Sequence, residues 1–130
     1  LQLLLYGAFT FDNGLPSVIE NGEGKILTRQ SMEWFYGHYL SGGVTTADPY
    51  IAPIKGDLHG LPPARLIVGT LDPLRDDSQL FAKALEEAGV PATLSVYPDQ
   101  PHVFLQLSAF LDAGKRGVAE ACSALGEALA

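Results

Sequence analysis

Cysteine is almost absent from this sequence, and basic side chains are scarce. The only cysteine, Cys122, excludes an intrachain disulfide and argues against a zinc site. Its reduced state suits a cytoplasmic location, which is the compartment we expect. The 8 basic residues stand against 15 acidic ones and give a formal net charge of −7. Because nucleic acids and anionic membranes attract basic surfaces, we expect neither as a partner.

Long hydrophobic runs are absent as well. The longest one, residues 1–8, contains Gln2 and is far too short to span a bilayer. It also lacks the basic flank and cleavage site of a signal peptide. The chain starts at Leu1, inside a predicted buried strand, and its only methionine is Met32. This start indicates a truncated or processed polypeptide.

Apolar periodicity and the Gly and Pro positions predict alternating strands and helices. The predicted strands are 1–6, 65–70 and 92–97, and the predicted helices are 30–40, 74–88 and 105–129. Residues 11–28 are predicted to leave the core, 44–63 to form a long connection, and 98–102 to form a loop. The predicted buried stripes comprise Leu80, Phe81, Ala84, Leu85 and Ala88, and then Leu107, Leu111, Val118, Cys122, Leu125 and Leu129. This order indicates an α/β fold with parallel strands and crossover helices.

Two polar residues follow the ends of neighbouring predicted strands. Asp72 comes after 65–70, and His102 comes after 92–97. The carboxyl ends of parallel strands meet at one sheet edge, so the two side chains can come together there. A carboxylate that accepts the Nδ1–H of a histidine holds it in the tautomer required of a general base. Asp72 also fits an ordinary helix cap, and His102 an ordinary surface histidine.

A set of motifs in a consistent order resembles the hormone-sensitive-lipase-like esterases, a branch of the α/β-hydrolases. Residues 72–77, Asp-Pro-Leu-Arg-Asp-Asp, resemble the family's D-P-L-x-D-[ED] segment. Residues 98–104 resemble the segment around its catalytic histidine, which usually contains H-G-F. Residues 48–53, 61–64 and 17–40 match three further family segments, so the similarity spans essentially the whole chain.

This resemblance implies a serine hydrolase of carboxylic esters that works through an acyl-enzyme, with a small-molecule ester as substrate. Asp72 would be the acid of the catalytic triad and His102 the general base, and neither a metal nor an organic cofactor is implied. Val103 stands where the family commonly has Gly, which puts the substrate range in question. The family also dimerises through its last strand, so Ala92–Tyr97 is the expected homodimer edge.

The family's nucleophile elbow, G-x-S-x-G, and its H-G-G oxyanion motif do not occur in these residues. The nearest approach, 41–43, has Tyr39 in place of the first glycine of the elbow. In the family both motifs lie upstream of the segment with which this chain begins. The resemblance therefore implies that residues 1–130 are the carboxyl-terminal part of a single α/β-hydrolase catalytic domain, and that the absent earlier part of this domain is a partner of the chain. We expect this chain to be inactive by itself. Two alternatives stay open: an inert hydrolase fragment that self-associates, and a serine peptidase of the prolyl-oligopeptidase type.

The remaining polar and aromatic residues have simpler interpretations. His38 is expected to be a packing or boundary residue, and His59 a solvent-exposed loop residue. The aromatic cluster around Trp34 is expected either to pack in the core or to line an acyl pocket. The acids of the helix after Asp72 are expected to favour the helix start and to form a solvated face. These acids are Asp76, Asp77, Glu86 and Glu87.

Overall fold

Three parallel strands form one sheet in which β2 lies between β1 and β3. In the computed structural model, which describes residues 1–43 and 45–130, β1 is Gln2–Leu5, β2 is Ala64–Leu71 and β3 is Ala92–Pro101. The predicted strands and α/β order are confirmed. One residue of the predicted 44–63 connection, Val44, lies outside the described residues.

Within residues 1–43 and 45–130, four helices accompany the sheet. They are α1 at Pro16–Asn21, α2 at Arg29–Tyr39, α3 at Arg75–Glu87 and α4 at Asp112–Leu129, and a 3₁₀ turn covers Pro53–Lys55. Helix α2 begins at a capping box, in which the Thr28 hydroxyl accepts the backbone N–H of Ser31 and the Ser31 hydroxyl accepts that of Thr28. The chain leaves α3 through Gly89, whose φ of +74° is a conformation that glycine adopts without strain.

Consecutive residues of β2 serve two different hydrophobic clusters, because side chains alternate between the faces of a strand. Leu66 packs with Phe81 and Leu85 of α3, and Ile67 packs with Phe104 and with residues of α4. The sheet is therefore covered by α3 on one face and by α4 on the other. Burial of this kind contributes about 1.5–3 kcal/mol for each large aliphatic side chain.

The segment 11–28 is closer to the core than its composition indicates. It contains α1, in which Ser17 and Val18 are buried, and Val18 packs against Met32 and Leu74. The prediction of an excursion away from the core is therefore wrong for α1, because hydrogen bonds from the start of α3 fix this helix in place. Leu80 of the predicted α3 stripe is also exposed at the surface.

The last helix is shorter than predicted, and a different face of it is buried. Residues 102–110 form hydrogen-bonded turns, and α4 begins only at Asp112. Small residues form the buried face, whereas most of the predicted stripe is exposed. The buried residues are Ala113, Gly114, Gly117, Ala121 and Ala124, and the exposed ones are Val118, Cys122, Leu125 and Leu129. Glycine and alanine allow the helix to approach the turns closely, which larger side chains on that face would prevent.

Candidate active site

The structure brings the two candidate catalytic side chains into contact. Nδ1 of His102 lies 2.8 Å from Oδ2 of Asp72. The Asp72 side chain is fully buried, and that of His102 is 17% exposed. If the carboxylate accepts the Nδ1–H, Nε2 carries the free lone pair and can accept a proton. The arrangement therefore has the geometry of an oriented general base, although the catalytic roles themselves stay a prediction.

Asp72 is held by the turn before α3 as well as by the histidine. Its Oδ1 accepts the backbone N–H of Leu74 at 2.8 Å. The alternative interpretation of Asp72 as a helix cap is wrong, because Leu74 is the N-cap residue of α3 and no side chain caps this helix. Both oxygens have partners, so the buried side chain is fixed in one rotamer.

An irregularity in the pairing of β2 with β3 carries the chain to His102. Gly69 pairs with Tyr97, but Leu71 pairs with Pro101, so β3 has two extra residues at this point. Asp99 adopts a φ of +57°, and its backbone N–H donates to Oγ1 of Thr70 at 2.8 Å. Residues 98–101 were predicted as a loop because of their prolines. They belong instead to β3, since a bulged strand tolerates proline.

Two acids of α3 connect the sheet edge to distant loops. Oδ1 of Asp77 accepts the backbone N–H groups of Phe9 and Thr10 at 2.6 and 2.7 Å, and the Thr10 hydroxyl donates to Oδ2. Asp76 accepts the backbone N–H of Ser17 at 2.8 Å. Burial raises the pKa of Asp77, and this effect outweighs the opposing influence of the Phe9 and Thr10 hydrogen bonds.

The expectation that these two acids only favour a helix start is therefore wrong for Asp77, which is completely buried. Asp72, Asp76 and Asp77 are close in the sequence, but each of them holds a different part of the structure. Asp72 holds the histidine turn, Asp76 holds α1, and Asp77 holds the loop after β1. The sequence around Asp76 and Asp77 does not indicate the partners of these two acids, which lie far upstream in α1 and in the loop after β1.

Tyr6 is a further residue of this region that sequence reasoning missed. Its ring meets the imidazole of His102 edge to face, with 4.9 Å between ring centroids, and its hydroxyl donates to Oε1 of Gln106. Burial raises the pKa of its phenol. The signal available in the sequence was its place at the carboxyl end of β1, at the edge where Asp72 and His102 meet.

Val103 has a left-handed backbone conformation, with φ at +59°. This conformation is unusual for a β-branched residue and is adopted freely by glycine. The backbone geometry thus explains why glycine suits the position after the histidine. The Val103 side chain is half-buried beside the Tyr6 and Phe104 cluster.

The other histidines lie apart from this pair. His59 is exposed as predicted and contacts Asp57 at 2.7 Å on the surface. His38 is exposed and packs edge-on against Trp34, which is itself 61% exposed. Within the aromatic cluster only Tyr36 of the described residues packs against a buried core, whereas Trp34, Phe35 and Tyr39 are exposed. Across residues 1–43 and 45–130 no cluster of three or more His, Cys, Asp or Glu side chains could hold a metal ion.

Comparison with known proteins agrees with this architecture. Residues 1–106 match a family described by its alpha/beta hydrolase fold. Over 126 residues the chain is 31% identical to an ethyl acetate hydrolase of Pseudomonas putida, and over 127 residues 37% identical to the carboxylic ester hydrolase LipN of Mycobacterium tuberculosis. Both alignments cover 96% of this chain, but 40% and 34% of the respective relatives.

Comparison with a solved structure also gives an esterase as a similar protein. A hyperthermophilic esterase from the archaeon Pyrobaculum calidifontis superimposes with a TM-score of 0.90 at 34% identity, over 99% of this chain and 44% of that one. Mouse hormone-sensitive lipase is 43% identical over 65 residues, which are 48% of this chain and 9% of that protein. The chain belongs to the α/β-hydrolase fold family, and within that family to the hormone-sensitive-lipase-like esterases.

The chain spans less than half the length of these curated relatives. Within the part of the chain that the structure describes, no helix is both long and apolar enough to cross a membrane.

Proposed function

We propose that the protein hydrolyses carboxylic esters through an acyl-enzyme, with Asp72 and His102 as the acid and the base of its catalytic triad. The observation that carries this proposal is the 2.8 Å contact between the histidine Nδ1 and a fully buried carboxylate oxygen. Such a carboxylate stabilises the imidazolium that forms when Nε2 takes the proton of a serine nucleophile. His102 then returns this proton to the leaving alcohol.

The proposal assigns the nucleophile and the oxyanion donors to residues outside these 130. No G-x-S-x-G elbow or H-G-G motif occurs in the sequence. Without them an acid–base pair gives little acyl transfer, because stabilisation of the oxyanion is usually the largest contribution to the rate. The chain alone is therefore proposed to be inactive, and the natural polypeptide that contains it is proposed to be the esterase.

A paired histidine experiment tests the assignment. The natural polypeptide that contains these residues is assayed for hydrolysis of p-nitrophenyl acetate and for covalent labelling by a fluorophosphonate, read by intact mass. His102→Asn should abolish both activities, with a loss in kcat of about 10³-fold or more. His59→Asn is the matched control, because His59 forms a similar contact with Asp57 at the exposed surface.

The control should leave both readouts unchanged. Hydrolysis that survives His102→Asn would contradict the assignment of His102 as the general base. A wild type that neither hydrolyses the ester nor takes the label would contradict the esterase proposal and favour the inert-fragment alternative. Cleavage of a prolyl peptide in place of the ester would favour the peptidase alternative.

Two partners are proposed for the free edges of the sheet. Among the described residues, β1 and β3 each pair only with β2. We propose that earlier strands of the same domain pair with β1, and that two copies associate through Ala92–Tyr97 of β3. Light scattering should give twice the mass of one polypeptide, and a lysine at the exposed Thr93 should halve it. A monomeric wild type at micromolar concentration would contradict the dimer.

The cytoplasm is proposed as the location, on the evidence of a single unpaired thiol at Cys122. Cell fractionation tests it, and recovery of the natural polypeptide from the culture medium would contradict it.

A further inference from the structure

Tyr6 contacts the candidate general base and also the turn that follows it. Its ring is 8% exposed and meets the His102 ring at an interplanar angle of 65°. Its hydroxyl donates to the side chain of Gln106, and the backbone N–H of Gln106 donates to the carbonyl oxygen of Val103. The side chain that directly follows β1 thus contacts the imidazole of His102 and is hydrogen-bonded to the turn that contains His102.

The backbone of Tyr6 is in a strained conformation where its side chain contacts His102 and Gln106. Tyr6 still donates its N–H to the carbonyl oxygen of Ile67 at 2.8 Å, as the last rung of the β1 ladder, but its φ is +40°. A left-handed conformation is strained for a residue other than glycine. Backbone strain of this kind is concentrated at functional sites, where the surrounding structure holds it.

The contact with Asp72 alone leaves one freedom to the histidine. The imidazole rotates about the Cα–Cβ and Cβ–Cγ bonds of His102, and a single hydrogen bond at Nδ1 restrains these two rotations only in part. The edge-to-face contact with Tyr6 provides a second point of support on the ring itself. Together the two contacts fix the direction in which Nε2 points.

We propose that Tyr6 is a positioning residue, which sets the orientation of the His102 imidazole from the end of β1. The inference rests on the proposed function, because it assigns Tyr6 a part in the same reaction. Tyr6 acts through His102 and takes no proton itself. Its aromatic ring is the essential part, and its hydroxyl secures the turn at Gln106.

Kinetics of matched tyrosine variants in the natural polypeptide test the proposal. Tyr6→Leu should lower kcat for p-nitrophenyl acetate by about 10- to 100-fold, because small errors in the position of a catalytic group have effects of this size. KM should stay within about threefold, since Tyr6 is not proposed to bind the substrate. Tyr6→Phe, which keeps the ring, should recover kcat to within about fivefold of wild type.

Tyr97→Leu is the control, because this half-buried tyrosine packs against the same hydrophobic cluster as Tyr6 but donates its hydroxyl to Glu120 of α4. It should lower stability without changing kcat. If Tyr6→Leu shows no cooperative thermal unfolding, Tyr6→Met replaces it, with Tyr97→Met as control, because methionine fills the space with a flexible side chain that has no ring. Equal effects of the Tyr6 and Tyr97 replacements on kcat would overturn the proposal.

Proton NMR separates this inference from the proposed function. The Nδ1–H of His102 should give a downfield resonance that disappears in His102→Asn. This resonance should persist in Tyr6→Phe and Tyr97→Leu, and should broaden or vanish in Tyr6→Leu. A resonance that is unchanged in Tyr6→Leu would overturn the positioning role. A wild type without esterase activity or fluorophosphonate label would instead refute the proposed function, while the resonance still tests Tyr6.

Discussion

The backbone nitrogen of Leu74 lies 2.8 Å from Oδ1 of Asp72, which leaves Oδ2 for the histidine. The two oxygens of one buried carboxylate thus close the turn before α3 and orient an imidazole. Because this turn fixes the carboxylate, the position of His102 depends on the local structure that leads into α3.

Replacement of Asp72 by asparagine should separate these two functions. The amide oxygen can still accept the Leu74 N–H, but the amide nitrogen then faces His102 and favours the wrong tautomer. We expect kcat to fall by about 10³–10⁴-fold, with little change in the free energy of unfolding. Asp72→Ala should also leave the buried N–H of Leu74 without its acceptor and be less stable by about 1–3 kcal/mol. Steady-state kinetics and denaturant unfolding measure both effects.

Asp57→Asn is the control for this prediction, because Asp57 contacts His59 in the same manner at the surface. It should leave kcat unchanged. An Asp72→Asn enzyme that keeps more than about a tenth of wild-type kcat would exclude Asp72 as the triad acid.

Replacement of Asp77 should show whether it holds the loop after β1. Asp77→Ala removes the acceptor of two backbone N–H groups, those of Phe9 and Thr10, and should lower the free energy of unfolding by about 2–4 kcal/mol. Asp77→Asn keeps an oxygen for these groups and should be much milder. Glu86→Ala, at an exposed site of the same helix, should change stability by less than about 0.5 kcal/mol. Similar effects of Asp77→Ala and Glu86→Ala would refute this role.

The elevated pKa of Asp77 adds a pH dependence with a definite sign. The folded protein binds the proton of this carboxyl more tightly than the unfolded chain does, because burial disfavours the charged form. Its contribution to stability is therefore complete below the unfolded pKa of about 3.9, and is lost as the pH rises through the higher folded pKa. Relative to Asp77→Asn, the wild type should lose free energy of unfolding as the pH rises above about 4. A difference that does not change as the pH rises, or that changes with the opposite sign, would contradict the prediction.

The strands and the Asp72–His102 contact could be predicted because their signals are local. An apolar run identifies β2, and the rule that parallel strands end at one edge places Asp72 near His102. The role of Asp77 could not be predicted, because its partners lie 68 and 67 residues away in the sequence. An acid in the first turn of a helix has the same sequence signal whether it is solvated or completely buried.

The prediction of the buried face of α4 was wrong for a different reason. The prediction assumed that the largest apolar side chains of a helix face the core, which is the usual origin of an apolar stripe. In α4 the need for a close approach reverses this preference, so Gly114 is buried and Leu125 is exposed. The close approach becomes visible only when the position of the backbone of turns 102–110 is known. A periodic pattern of apolar residues does not indicate it.

Because the backbone of Val103 is strained, a glycine at this position should give a more stable protein than an alanine, which is the reverse of the usual order. Both Val103→Ala and Val103→Gly remove the half-buried methyl groups, but only glycine accepts a φ of +59° freely. We expect the glycine variant to be more stable than the alanine variant by about 1 kcal/mol. Denaturant unfolding measures the difference. At Gly126, where φ is helical, the alanine variant should instead be the more stable one, and an alanine preference at Val103 would show that its backbone is unstrained.

The close contact between α4 and the histidine turn should make one glycine indispensable and another replaceable. A Cβ at Gly114 would lie 2.5 Å from the carbonyl oxygen of Phe104 and 2.9 Å from Cα of Ser108, whereas one at Gly126 would meet nothing within 4 Å. Gly114→Ala should therefore cost about 1–3 kcal/mol through overpacking. Gly126→Ala should gain about 0.5–1 kcal/mol, since alanine is the better helix former. Because Phe104 lies two residues after His102, Gly114→Ala should also lower kcat, which Gly126→Ala should not. Denaturant unfolding and ester hydrolysis measure these effects, and equal stability of the two variants would mean that α4 does not press on the turn that carries His102.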